Sequence, residues 1–293
     1  MHKRALAFGK VVGFLVLTVG LGLLVVWALP TVAHSELVAE ILLCGTVLAT
    51  SLVATRMERR RLASVGFADS APARRFVAGV GVGTVVVGGS AGVFACLGWY
   101  HATLAAGEPS ARWLAVAVAL SALVALFEET LFRGYALQTF ANAFGGASAV
   151  VVTGVLFGAL HLLNPTPGVA PWLKLVGCGC VGAYGMLAAI LRLASGSLWL
   201  PMGMHFAWNL LEQFVFGFSD SGVLSTEGLL RATVTGPELL TGGAYGPEAG
   251  LMMLIVAGAA GAVAVKVIGG YTGSALGKGT RVTPLESAPS RDD

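Results

Sequence analysis

The sequence predicts an all-α, polytopic membrane protein: a bundle of about eight transmembrane helices with both termini on the cytoplasmic side. Three observations carry that expectation. Of 293 residues, 56% are hydrophobic and only 11% are charged, against about 25% charged in an ordinary soluble domain. The apolar residues fall in continuous runs of about 20, the length of helix that crosses a bilayer. The basic residues crowd alternate connections and nearly vacate the others, as the positive-inside rule requires. A closed barrel would need alternating segments of about ten residues, and a disordered chain lacks this apolar mass. The net charge of +3 is too small for a nucleic-acid surface.

The N-terminal stretch M-H-K-R-A-L-A-F-G-K is basic and precedes an apolar run from Val11 to Leu29. That run is longer than the core of a signal peptide, about 7–15 residues, so it reads as a retained first span, 11–30. Further spans follow at 37–55, 76–100, 112–133, 148–163, 171–191, 196–216 and 249–268. With the N-terminus inside, every lysine and arginine except Arg112, Lys174, Arg231 and the motif residue Arg133 lies on the cytoplasmic side. The basic segment 56–75 reads as a topology signal that also attracts anionic head groups. The outer segment 217–248, rich in Gly, Ser and Thr, reads as a mobile loop. Residues 1–268 form one membrane domain, with a motif core at 112–216, and 269–293 form a polar cytoplasmic tail expected to be disordered. The chain ends S-R-D-D and carries no prenylation box. Cys44, Cys96, Cys178 and Cys180 lie in apolar stretches and read as small buried hydrophobes.

Few ionisable groups remain inside the spans: Glu128, Glu129 and Arg133 on the fourth, His161 on the fifth, and His205 and Glu212 on the seventh. A carboxylate at the bilayer centre costs about 2.5–3.5 kcal/mol, so each needs a partner or a task. Glu129 and Arg133, four apart, share a helix face and can pair, which turns Glu128 elsewhere. His205 and Asn209 stand one above the other. Glu212 shares that face but reads as lying near the outer water. Taken singly, each group has a bland explanation: an ion pair near a helix end, interhelical hydrogen bonds, a packed histidine. Taken together, three spans deliver polar groups into lipid, where such groups must find one another.

A carboxylate and two imidazoles can act in two ways. Glu128 can serve as general base on a water that His161 holds, or His161 can protonate the leaving amine. His205 and Asn209 can then steady the oxyanion. Alternatively, Glu128, His161 and His205 can ligate zinc and so acidify a bound water. Both schemes hydrolyse a peptide bond. No H-E-x-x-H and no G-x-S-x-G occurs. Two rivals from other classes are a non-catalytic binding protein using the same pocket and a proton-coupled transporter. The absence of internal repeats disfavours the transporter.

E-E-x-x-x-R (Glu128, Glu129, Arg133), F-x-x-x-H (Phe157, His161) and H-x-x-x-N (His205, Asn209) resemble the three motifs of the CPBP family. This family includes the type II CAAX prenyl endopeptidases and the bacteriocin-processing and self-immunity proteins of bacteria. The resemblance implies a multi-pass membrane endopeptidase of the cell membrane, acting on a peptide or lipidated protein. It also implies Glu128 as catalytic base, His161 as its partner, His205 and Asn209 as transition-state stabilisers, and Glu129 and Arg133 in support. It leaves the glutamate-only and zinc mechanisms open. One tension remains. Measured along the helices, Glu128 lies ~24 Å below the outer face and His161 ~20 Å above the inner one, depths that differ by over ~10 Å in a ~30 Å core.

Overall fold

The computed structural model describes residues 2–28, 35–105, 110–223 and 228–269. In chain order its helices are α1 (His2–Ala28), α2 (Glu36–Met57), α3 (Pro72–Cys96), α4 (Ala111–Glu129), α5 (Leu137–Phe144), α6 (Gly146–Leu160), α7 (Pro171–Ser195), α8 (Trp199–Asn209), the short α9 (Glu238–Thr241) and α10 (Leu251–Gly269). Strands β1 (Tyr100–Leu104) and β2 (Leu230–Val234) form an antiparallel pair with Ala102 opposite Ala232. Among the described residues, seven helices are long and apolar enough to cross a membrane, α4 and α5 counting as one. Their outer faces carry bare apolar side chains: Trp27 is 83% exposed, Val16 67% and Ile255 65%. Lipid is the solvent that suits such a surface. The fold is therefore the expected all-α polytopic bundle.

Three expected elements differ. The segment 196–216 is not a full span. Gly196, at φ 71°, ends α7 in a left-handed turn, and α8 then runs only to Asn209 before loosening into a π-helix over Leu210–Val215. It need not match the bilayer, because it is enclosed by protein: Leu200, Pro201, Met202, Gly203 and Met204 are all buried. The enclosure depends on glycine. A Cβ on Gly79 of α3 would lie 2.0 Å from the Leu200 carbonyl oxygen, and one on Gly203 would lie 2.0 Å from that of Phe76. The crossing of α6 and α7 is equally close, with a Cβ on Gly158 falling 2.2 Å from the Cys178 carbonyl oxygen. Small residues let helix backbones approach in this way when lipid offers no hydrophobic drive.

Second, 134–147, the connection left between the expected fourth and fifth spans, is largely helical. The fourth helix passes through a π-helical stretch at Thr130–Ala136, kinks at Gly134 (φ −80°, ψ −111°) and continues as α5 to Phe144. This removes the depth tension. Glu128 stands ~24 Å along the helix from Phe144, and His161 ~22 Å from Gly146, and those two ends are joined by Gly145 alone. Both residues thus reach the same level above one hairpin.

Third, the segment 217–248 is packed rather than mobile where it is described. It supplies β2, α9 and tight turns, and the Leu229 and Thr235 amides donate to the Phe214 and Trp99 carbonyls at 2.7 and 2.8 Å. Tyr245, within it, is fully buried. The segment forms a cap over one end of the bundle. At the other end the basic segment makes contacts within the protein. Glu58 accepts from Lys10 (2.6 Å), Arg60 (3.1 Å) and the Tyr135 hydroxyl (3.1 Å), and Arg60 also donates to Gln138. Cys44, Cys178 and Cys180 are buried as expected, but Cys96 is exposed at the end of α3. The tail 270–293 lies outside the described residues.

Candidate active site

Two adjacent glutamates near the end of α4 take opposite environments. Glu129 is 1% exposed and pairs with Arg133, Nη1 to Oε1 at 3.0 Å. Arg133, also 1% exposed, donates from Nη2 to the Gly185 carbonyl at 3.0 Å. Its guanidinium carbon sits 4.4 Å from the centre of the Phe157 ring. This is the geometry a buried charge needs: a partner of opposite sign, a hydrogen bond and a polarisable face. Glu128, one residue earlier, turns about 100° away and lines a cavity of about 310 Å³.

Two histidines face that cavity with their tautomers set by neighbours. His205 donates from Nδ1 to Glu129 Oε1 at 3.1 Å, which leaves Nε2 directed toward Glu128 Oε2 at 3.6 Å. His161, where α6 gives way to a 3₁₀ turn, donates from Nδ1 to the Phe157 carbonyl at 2.8 Å. A carbonyl only accepts, so Nδ1 carries the proton and the Nε2 lone pair is left for a ligand. Phe157 packs against both rings, 4.7 Å from His161 and 6.4 Å from His205. Asn209, one turn beyond His205, is buried on the same wall. The structure therefore gathers Glu128, His161, His205 and Asn209 around one cavity, with Glu129 and Arg133 behind them.

Further wall residues come from places the sequence reading passed over. Glu40 on α2 lines the cavity, and its Oε2 is buried without a hydrogen-bond partner. Tyr184 of α7 lines it with a buried, unpartnered hydroxyl. The cap contributes Asp220, Ser221 and Glu248. Burial, then neighbouring negative charge, pushes the Glu248 carboxyl up to about 8. Burial raises Asp220 as well, against the opposing pull of His205 and His161. Glu212, expected near water, is 0% exposed. The signal for Glu40 was present, a carboxylate inside the second run, but its place in the first two turns of α2 beside Glu36 reads as a helix end. Nothing in the sequence signals that the cap folds inward.

The zinc alternative can be tested on geometry. Donor atoms on one zinc ion lie about 2.0–2.3 Å from it, hence within ~4.6 Å of one another. Among the described residues, Glu128, His161 and His205 do not form a group whose donor atoms all fall within 4.8 Å; the group that does is Glu212, Asp220 and Glu248. In this arrangement the three donors of the expected zinc set are not gathered within the reach of one ion.

The sequence of the helices that build this wall has a recognisable relative. Residues 110–211 match the family described as type II CAAX prenyl endopeptidase Rce1-like. The match covers about a third of the chain and holds all three motifs, from Glu128 to Asn209. It leaves out α1 to α3, the cap and α10. No curated protein and no solved structure matches the chain.

Proposed function

We propose that this chain is an intramembrane endopeptidase of the cell membrane that cleaves a peptide bond in a membrane-associated, CAAX-type lipidated substrate. The family match supports the reaction class. The observation that carries the reading is the division of labour between neighbouring glutamates: Glu129 is held by Arg133 and His205, while Glu128 faces the cavity. In this mechanism Glu128 takes a proton from a water whose other hydrogen His161 Nε2 accepts, which aims the oxygen at the scissile carbonyl. The water oxygen bonds to the carbonyl carbon as the carbonyl π pair moves to oxygen. His205, as the imidazolium that Glu129 holds at Nδ1, donates from Nε2 to that oxyanion, and the Asn209 carboxamide donates to it as well. Collapse breaks the C–N bond, and the proton held by Glu128 passes to the leaving amine. Burial among helices strengthens each of these interactions by excluding bulk water.

The test is cleavage of a prenylated CAAX peptide by the purified chain, followed by mass spectrometry of the released fragment. Glu128→Gln should slow cleavage by about 10²–10⁴-fold while thermal unfolding is unchanged. Undiminished cleavage by that variant refutes the assigned base, and equal cleavage of the unprenylated peptide refutes the substrate class.

A further inference from the structure

A second group of carboxylates, unused by that mechanism, converges beneath the cap. Glu212 comes from the π-helical end of α8, Asp220 from the turn that follows, and Glu248 from the turn before α10. One carboxylate oxygen from each lies within 4.8 Å of the other two. Among the described residues no lysine or arginine pairs with any of the three. Of the cations facing the cavity, Arg133 is engaged by Glu129, and His161 and His205 are the imidazoles already described.

An acidic cluster alone is only a cluster, but two orphaned polar groups accompany this one. Glu212 is 0% exposed, and both its oxygens lack a hydrogen-bond partner. The Trp208 indole and the Glu248 amide come near it without reaching hydrogen-bond geometry. The buried Tyr184 hydroxyl, on the same cavity wall and within electrostatic reach of Glu212 and Glu248, is likewise unpartnered. Buried polar atoms are nearly always satisfied, and a carboxylate without a partner is among the costliest to leave. A cation that suits oxygen would satisfy it and relieve the mutual repulsion of the three carboxylates.

We propose that Glu212, Asp220 and Glu248 bind one hard divalent cation, which ties the cap to the ends of α8 and α10. An all-oxygen set selects calcium, magnesium or manganese over softer metals. Oxygens across a calcium ion stand up to ~5 Å apart and across magnesium ~4.2 Å, and the three carboxylates lie within the first of these limits. Ser221 donates to Glu248 Oε1 at 2.7 Å, as outer residues commonly do to orient a ligating carboxylate. The Gly222 amide donates to the Tyr245 carbonyl at 2.7 Å, so the turn bearing Asp220 is already clipped to the chain that bears Glu248. None of the three carboxylates carries a step of the endopeptidase reading, although Asp220 and Glu248 share its cavity wall.

Terbium(III), a calcium analogue excited through nearby Trp208, provides the test on the purified full chain in detergent. The wild-type protein should bind one terbium per chain, release it to calcium, and unfold at higher temperature with calcium present. Glu212→Gln and Asp220→Asn should each weaken terbium binding at least tenfold, while Glu128→Gln binds as wild type does. Absence of saturable terbium binding by the wild-type protein overturns the proposal, whatever the variants do. So does binding that survives both acidic substitutions, and so does binding lost in Glu128→Gln, which would put the ion on the catalytic group.

Discussion

Replacing Arg133 with methionine tests the idea that a buried ion pair holds the catalytic wall in place. The guanidinium is 3.0 Å from Glu129 Oε1, 3.0 Å from the Gly185 carbonyl and 4.4 Å from the Phe157 ring centre. Glu129 and Arg133 are each 1% exposed. Methionine preserves most of the volume but strands the Glu129 carboxylate with only the His205 Nδ1 proton. Removing one partner of a buried pair costs about 3–5 kcal/mol, whereas an exposed i,i+4 pair is worth ~0.3–0.5 kcal/mol. Glu129→Gln in the same chain removes the stranded charge, so the double variant should be more stable than Arg133→Met alone. Reversible unfolding in mixed detergent and dodecyl sulfate micelles, followed by tryptophan fluorescence across all four proteins, reads the coupling directly. A coupling of ~2 kcal/mol or more is expected, near the top of the range for interacting neighbours. A value below ~0.5 kcal/mol, the level of a surface pair, would refute the reasoning. Arg133→Met should also depress peptide cleavage, because His205 loses the neighbour that keeps Glu129 ionised.

Two more outcomes follow from packing and charge. Gly158→Ala should cost ~1–3 kcal/mol or more, since its Cβ meets the Cys178 carbonyl oxygen at 2.2 Å; Gly179→Ala, with nothing within 4 Å, is the matched control and should be neutral in the same micelle assay. Glu58 is held below the ordinary glutamate range: burial works to raise it, but hydrogen bonds from Lys10, Arg60 and Tyr135 together with the Lys10 charge outweigh that. Its contribution is therefore complete above the unfolded value of about 4.3 and is lost as pH falls through the lower folded value. Unfolding midpoints measured from pH 7 to pH 3 should decline less steeply for Glu58→Gln than for the wild-type chain, and parallel curves would contradict the assignment.

Run length and loop charge made the membrane bundle legible, because lipid demands long apolar helices whatever their packing. The polar set was legible for the same reason: Glu128, His161, His205 and Asn209 are out of place in lipid unless they meet. Helix continuity was less so. The polar stretch around Gln138 and Asn142 looks like a loop, yet Gln138 is buried, donating to the Ser64 carbonyl and accepting from Arg60, so the fourth helix runs through it. The short α8 was hidden because hydropathy cannot separate a helix facing lipid from one sheathed by α3 and its glycines. The cap was hidden most completely. Its glycines and acidic residues resemble those of any solvated loop, and only the tertiary fold brings Asp220 and Glu248 to Glu212.

The kink at Gly134 makes the fourth helix an articulated rod. Its upper limb, α4, is gripped by α2 and α8, and its lower limb, α5, by α1 and α6. The widened turns between them let each limb keep its own rotational phase. Deleting one residue from Thr130–Ala136 would swing the lower limb by about 100° about its axis. Phe140, now buried and stacked on Phe144, would leave the interior while Glu128 stayed at its post. The orientation of the acidic residue is thus insulated from errors in the hairpin below it, and the two halves of one helix are free to vary separately.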